Sequence, residues 1–135
     1  MYIIRKQFHF SAAHRLYSPH LSEGENEKQF GKCASPNCHG HNYKLEVAVT
    51  GDKNPMTGMV INFDELKEIV QEEIILELDH KNLNLDVDFL KGEITTAENL
   101  ARLIWDRLQT RLSSVSLYEI ILSETDDNMV IYRGQ

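Results

Sequence analysis

The chain of 135 residues is 41% hydrophobic and 26% charged, a composition typical of one domain with a single core over residues 1–135. Its formal net charge is −7 and its Lys and Arg residues are scattered, which excludes the concentrated basic surface that nucleic acid requires. No apolar run reaches the roughly 18 residues of a membrane span, and the N-terminus carries no signal-peptide pattern. We therefore expect a cytoplasmic protein without nucleic acid or a membrane as partner. The composition does not exclude one small anionic ligand.

The first predicted element is a strand over residues 2–14. Phe8, Phe10 and His14 share one face of this strand, so His14 ends an apolar face. Taken alone, this position suits either a buried, hydrogen-bonded histidine or a ligand aimed at a site. The polar residues 18–32 that follow include Pro and Gly, and they predict a long, mobile connection.

Both cysteines and two of the six histidines lie close together in the next stretch. The alternating residues from His39 onward predict a second strand, on which His39 and His41 share a face. Two metal sites are open to these residues. One joins the pair to His14 in a three-nitrogen zinc site with a free position, and the other joins it to Cys33 and Cys38 in a closed tetrahedron. Adjacent Cys38 and His39 project to opposite faces of an extended chain, which favours the three-histidine site.

An amphipathic helix is predicted over residues 64–78, where apolar residues recur at three- and four-residue spacing. Either Asn62 or Asp64 suits its N-terminal cap. The helix ends at Asp79 and His80, an acid–imidazole pair that alone suits an ordinary surface contact.

A second helix and a hairpin complete the chain. Thr95 as N-cap and Glu98 at the third helical position fit a capping box, which predicts a helix to about Leu112. The hairpin turns over residues 125–128. Glu124 stands where its apolar face ends, and a carboxylate there is costly unless donors bind it. It therefore either binds the amino and ring N–H edge of a ligand or lies in solvent where the strand frays.

Eight ordered motifs resemble the 6-pyruvoyl-tetrahydropterin synthase family over nearly the whole chain. They are FSAAHRL at 10–16, FGKC at 30–33, HGHNYK at 39–44, TGMV at 57–60, LDHKNL at 78–83, TTAEN at 95–99, ETDDN at 124–128 and YRG at 132–134. Because their spacing is also compatible, this signal is far more specific than a lone His-Gly-His.

The resemblance implies the T-fold, an α+β architecture in which a four-stranded antiparallel sheet carries two helices on one face. Three subunits would join edge to edge into a barrel, and two such trimers would stack into a homohexamer with active sites between subunits. This assembly would also pair the open sheet edges that a monomer leaves exposed.

The resemblance also implies a role for each candidate residue. The ligands of a zinc ion, Zn²⁺, are His14, His39 and His41. The catalytic residues are Cys33 as general base, with Asp79 and His80 completing its triad. The substrate-binding residues are Glu124 as anchor of the pterin ring, with Thr95, Thr96 and Glu98 lining the pocket.

The implied reaction converts 7,8-dihydroneopterin triphosphate into 6-pyruvoyl-tetrahydropterin with loss of triphosphate, which makes the protein a carbon–oxygen lyase of tetrahydrobiopterin biosynthesis. Related enzymes make 6-carboxy-5,6,7,8-tetrahydropterin for queuosine biosynthesis from the same substrate. The wide spacing between Cys33 and His39 favours the pyruvoyl branch. Cys38 departs from the family pattern, which often has Gly there. From another class of protein, a non-catalytic module with a structural zinc is the remaining alternative.

Overall fold

The computed structural model describes residues 1–135 as one sheet with helices and short turns around it. The strands are β1 (Tyr2–His14), β2 (His39–Gly51), β3 (Lys81–Asn82), β4 (Ser116–Ser123) and β5 (Met129–Tyr132). The helices are α1 (Glu23–Phe30), α2 (Phe63–Val70), α3 (Leu76–Leu78) and α4 (Ala97–Gln109). None of these helices has the length and apolar character of a membrane span.

The sheet has five strands in the order β3-β1-β2-β4-β5, so the expectation of four strands, all antiparallel, is wrong. The four longer strands are antiparallel as expected, whereas β3 pairs in parallel with β1 at Ala12 and Ala13. A strand of two residues is too short to show an alternating pattern in the sequence. β3 is a strand only because its backbone pairs with that of β1. The α+β class is nonetheless as predicted.

One face of the sheet packs against the helices and forms the core. Phe8, Leu45 and Leu122 lie opposite one another on neighbouring strands, and all are buried. Since cross-strand partners point to the same side, the core face is continuous across the sheet. Leu66 of α2 and Ile104 of α4 belong to the same buried cluster.

The predicted helix over 64–78 is present but is not regular throughout. It runs through α2, a π-helical turn (Gln71–Ile75) and α3. Asn62 is its cap, because the Asn62 Oδ1 atom accepts the Asp64 N–H at 2.8 Å.

The connection over residues 18–32 contains helix α1, which the sequence reading missed. Its N-terminus carries a capping box in which Ser22 and Glu25 exchange side-chain and backbone hydrogen bonds. Asn26 is only 1% exposed, and its carboxamide bonds to the backbone of Ser18, Leu21 and Ser22. Polar bonds rather than an apolar stripe hold α1, which explains why hydrophobic periodicity gave no sign of it.

The cap of α4 lies one residue later than predicted. Thr96 is the N-cap, and its Oγ1 atom accepts the Asn99 N–H at 3.3 Å. Thr95 is 1% exposed, and its hydroxyl donates to the Arg15 carbonyl at 3.3 Å. The Thr95 hydroxyl is thus bonded to Arg15 and accepts none of the N–H groups at the start of α4.

Candidate metal centre and active site

The register of β1 and β2 brings three histidines together. His14 lies directly opposite His39, and Ala12 lies opposite His41. Cross-strand partners share a face, as do residues two apart on one strand, so all three imidazoles project to the same side. His14 at the end of β1 thus meets His39 and His41 at the start of β2 in a single cluster.

The three rings are in contact with one another. The centroid distances are 4.6 Å for His14–His39, 5.2 Å for His14–His41 and 4.8 Å for His39–His41. One nitrogen from each ring lies within 4.8 Å of the others, and no other residue belongs to this metal-competent group. Neither cysteine is part of it, so the closed two-sulfur tetrahedron is not formed here.

The chemistry of the cluster fits a metal ion. The Nε2 atom of His14 and both ring nitrogens of His39 are buried without a hydrogen-bond partner. Burial lowers the pKa of His14 to about 4, and the charges of the two neighbouring imidazoles act in the same direction. The hydrogen bond to the Thr95 carbonyl acts in the opposite direction. Burial also lowers the pKa of His39. Neutral imidazoles with unpaired nitrogens are the ligands that zinc takes.

The other nitrogen of His14 is fixed by the backbone. Its Nδ1 atom lies 2.8 Å from the Thr95 carbonyl oxygen. Because a carbonyl oxygen only accepts, Nδ1 carries the hydrogen and Nε2 keeps a free lone pair. An imidazole whose second nitrogen is held in this way is the usual arrangement of a metal-binding histidine.

Glu124 borders the cluster and is not a solvated strand end. Its Oε1 atom lies 3.9 Å from His14 Nε2, and its side chain is 23% exposed. Burial raises the pKa of Glu124, with the charge of Glu98 acting in the same direction and His41 acting against it. Thr96 and exposed Glu98 stand at the start of α4. The side of the cluster nearest Glu124 therefore offers a carboxyl group to a ligand.

Cys33 is anchored to the segment that follows His14. The Cys33 carbonyl accepts the Leu16 N–H at 2.8 Å, and the Ala34 carbonyl accepts the Arg15 Nε–H at 2.8 Å. The thiol is free and half-buried. The turn that carries Cys33 (Gly31–Ala34) is thus tied to the two residues that directly follow His14 of the cluster.

Asp79 and His80 form the predicted pair, with His80 Nδ1 3.0 Å from Asp79 Oδ1. The Ser11 N–H also donates to Asp79 Oδ1 at 2.9 Å, and this bond, followed by the bond from His80, lowers the pKa of Asp79. The His80 side chain is 82% exposed. A hollow of about 430 Å³ is lined by His80 and His41 but not by Cys33. No hydrogen bond or ion pair within the chain joins Cys33 to the Asp79–His80 pair.

Tyr43 is a site neighbour for which the sequence predicted no role. Its ring centroid lies 5.5 Å from that of His41, and its buried hydroxyl has no partner. Burial, followed by the charge of Glu124, raises the pKa of Tyr43. Its place two residues after His41 on the same strand face was the available signal.

This fold and site define a class of α+β protein in which a sheet presents three imidazoles and a carboxyl group to a small ligand. The family model described as 6-pyruvoyl tetrahydropterin synthase matches residues 3–135. The chain belongs to the 6-pyruvoyl tetrahydropterin synthase family.

Individual relatives support the same assignment. The chain is 49% identical to the human protein named 6-pyruvoyl tetrahydrobiopterin synthase, with 98% of this chain and 91% of the relative covered. A solved structure titled 6-pyruvoyl tetrahydropterin synthase, from Caenorhabditis elegans, matches with a TM-score of 0.93 and 38% identity over 99% of this chain and 96% of that one. A Haemophilus influenzae relative named 6-carboxy-5,6,7,8-tetrahydropterin synthase is 34% identical over 88% of this chain and 93% of its own length.

Proposed function

We propose that the chain converts 7,8-dihydroneopterin triphosphate into 6-pyruvoyl-tetrahydropterin and triphosphate. The observation that carries this proposal is the buried three-imidazole cluster beside Glu124, in a chain about half identical to relatives named for that activity. The reaction balances without a co-reactant. One side-chain carbonyl forms as the pterin ring takes up two electrons, and the second forms as triphosphate leaves and the terminal carbon becomes a methyl group. The proposal thus needs no nicotinamide or flavin.

His14, His39 and His41 would hold Zn²⁺ through three nitrogens. When bound, the ion supplies Lewis acidity that makes C–H bonds beside a substrate oxygen more acidic. The unpaired nitrogens of the cluster and the neutral state that burial gives His14 support this assignment. The carbonyl of Thr95 keeps the His14 ring in the ligating tautomer.

Cys33 acts as the general base that removes a proton from a hydroxyl-bearing carbon of the substrate side chain. A thiolate is the active form. An adjacent imidazole takes the thiol proton, and the resulting imidazolium stabilises the thiolate. His80, oriented by Asp79, fills this role from a neighbouring subunit. The exposure of His80 in its own chain and the absence of Cys33 from the hollow beside it support such a shared site.

Glu124 binds the amino and ring N–H groups of the pterin. Its position 3.9 Å from His14 Nε2 would place the ring beside the metal and the side chain over it. Thr96 and Glu98 at the start of α4, together with Thr95, line the same pocket. In our proposal the protein works as a homohexamer, in which a neighbouring subunit brings Asp79 and His80 to Cys33.

The decisive experiment incubates the zinc-loaded protein with 7,8-dihydroneopterin triphosphate and identifies the pterin product by mass spectrometry. We expect 6-pyruvoyl-tetrahydropterin and one triphosphate per turnover. His39→Ala should abolish both zinc binding and turnover, whereas the matched His20→Ala, an exposed histidine in the connection before α1, should alter neither.

Other outcomes discriminate between the alternatives. Acetaldehyde release with a 6-carboxy product would assign the chain to the branch of the Haemophilus relative. Zinc binding without turnover of this substrate would contradict the proposed enzyme and favour a structural metal module. X-ray absorption at the zinc edge should show nitrogen and oxygen in the coordination sphere, and sulfur there would contradict the three-histidine assignment.

A further inference from the structure

The segment just beyond β1 is held by the side chain of Asn84. The Arg15 N–H donates to Asn84 Oδ1 at 2.8 Å, and Asn84 Nδ2 donates to the Arg15 carbonyl at 2.9 Å. β1 ends at His14, so the ladder of the sheet no longer holds Arg15. The Asn84 carboxamide therefore takes the place of a strand partner for one residue.

The same carboxamide is linked to the carbonyl that fixes His14. The Thr95 hydroxyl lies 3.3 Å from the Arg15 carbonyl and 3.4 Å from Asn84 Oδ1. The Thr95 carbonyl in turn accepts the His14 Nδ1–H at 2.8 Å. Thr95 is 1% exposed, so water does not replace these bonds.

On its other side, Arg15 is tied to the loop that carries the thiol. The Arg15 Nε–H donates to the Ala34 carbonyl, and the next residue, Leu16, donates its N–H to the Cys33 carbonyl. Arg15 thus stands between a nitrogen of the histidine cluster and the anchor of Cys33. A side chain that holds Arg15 in place therefore also holds the Cys33 loop in place relative to His14.

The backbone around Asn84 is held in place by burial and hydrogen bonds. The Leu83 N–H donates to the Ala13 carbonyl at 2.8 Å, and Leu83 is completely buried. The Asn84 N–H donates to Asn82 Oδ1 at 3.0 Å. A side chain on such a support can hold its partners within the tolerance that a metal site needs.

We propose that Asn84 is a positioning residue of this site, which sets the geometry between the three-histidine cluster and Cys33 through Arg15 and Thr95. It touches neither substrate nor metal. The inference rests on the proposed function, since it assigns the metal to that cluster. The essential property of Asn84 is its acceptor oxygen, which the Arg15 N–H and the Thr95 hydroxyl share.

The test compares Asn84→Leu, Asn84→Asp and a control, Asp86→Ala, by zinc competition titration. Leu removes the acceptor, and we expect zinc affinity to fall about tenfold, the lower end of the effect of an outer-shell partner. Asp keeps the acceptor for the Arg15 N–H but loses the donor to the Arg15 carbonyl, so its zinc affinity should lie between those of Asn84→Leu and wild type. Asp86 accepts the Asn82 N–H at 2.9 Å in the same loop but does not reach Arg15, so its variant should bind like wild type.

A second readout needs no metal. Long-range ¹H–¹⁵N NMR of the metal-free protein should show His14 protonated on Nδ1 in wild type and a mixture of tautomers in Asn84→Leu. Wild-type zinc affinity together with an unchanged tautomer in that variant would overturn the inference. If wild type binds no zinc but the tautomer still changes, the proposed metal site fails and the positioning role stands.

Should Asn84→Leu not fold, Thr95→Val and Thr95→Ser replace it. Val removes the hydroxyl link and should reproduce both the tenfold loss and the tautomer change, whereas Ser should restore wild-type behaviour. Equal behaviour of Val and Ser would contradict the proposed link through Thr95.

Discussion

Cys33 and Cys38 have different neighbours, although both are free thiols near the histidine cluster. The loop of Cys33 is tied to the segment after His14 by two backbone-directed bonds. Cys38 has a left-handed backbone (φ 66°) and accepts only the Asn82 amide at 3.4 Å. Backbone hydrogen bonds thus hold the Cys33 loop beside the candidate site, whereas Cys38 contacts Asn82 of β3.

Replacing each cysteine by Ala tests this difference. Cys33→Ala should lower kcat by about 10²- to 10⁴-fold, the usual worth of a general base, and leave zinc content unchanged. Cys38→Ala is the matched control and should keep turnover within a few-fold of wild type. Loss of zinc from Cys33→Ala, measured by elemental analysis, would instead make the thiol a ligand and contradict its role as base.

Glu119 lies away from the cluster but shows how one buried carboxylate is stabilised on the open face of the sheet. Its side chain is 6% exposed, and its two oxygens lie 2.5 Å from Arg5 Nη2 and 2.7 Å from Arg133 Nη2. The hydrogen bond from Arg5, followed by that from Arg133, lowers the pKa of Glu119. The charged form is thus favoured by folding.

The resulting pH dependence has a definite sign. Because the pKa of folded Glu119 lies below the ordinary 4.5, its stabilisation is complete above that pH and is lost as the pH falls through the folded value. Glu119→Gln should lower the free energy of unfolding by about 2 kcal/mol at pH 7, and by much less in acid. Urea titrations at fixed protein concentration measure this. Glu46→Gln, whose contact is Gln7 at 3.2 Å, is the control, and an equal loss at both pH values for Glu119→Gln would contradict the argument.

Among the elements, α1 depends on one buried side chain. Asn26 makes four backbone bonds, which order the chain between β1 and the turn of Cys33. Asn26→Leu keeps the volume but leaves buried Ser18 groups unpaired, which should cost about 2–3 kcal/mol in the free energy of unfolding. Gln29→Ala on the exposed side of α1 is the control. If both variants unfold at the same urea concentration, Asn26 does not hold this segment.

The elements that the sequence predicted are those with a regular hydrophobic period. β1, β2 and the helix over 64–78 all carry such a period, because one face of each is buried. Helix α1 and strand β3 have none, since polar side chains and the backbone of β1 hold them. For the site, His39 and His41 were predictable from their spacing, whereas the contact with His14 depends on strand register, which sequence spacing alone does not state.

The roles of Thr95 and Asn84 depend on neighbours that are distant in sequence. Thr95 fits a capping box by local pattern, but its hydroxyl bonds to Arg15 instead. Asn84 lies in a loop with no periodic signal, and its partners are Arg15 and Thr95. Such polar links are visible only in the folded chain, so the sequence indicated the candidate ligands but not the residues that hold them in position.

As a whole, the molecule leaves both edges of its sheet open. β3 pairs with β1 only at Ala12 and Ala13, so most of that edge of β1 has no partner, and β5 forms the opposite edge. Ile3 near one edge and Ile131 on the other are 41% and 53% exposed. Open strands with apolar side chains favour association with further copies. For the homohexamer proposed above, native mass spectrometry should give six times the chain mass of 15.6 kDa.

A mixing experiment shows whether the assembled sites are shared between chains. Cys33→Ala and His80→Ala should each be inactive alone. If Cys33 and His80 of one site come from different chains, co-refolded equal mixtures restore about a quarter of wild-type activity, because chance then pairs two intact residues in some sites. If both come from the same chain, no mixed oligomer contains an intact pair and the mixture stays inactive. Since His80 is 82% exposed and Cys33 does not line the hollow beside it, we expect recovery. An inactive mixture whose native mass shows mixed hexamers would refute the shared site.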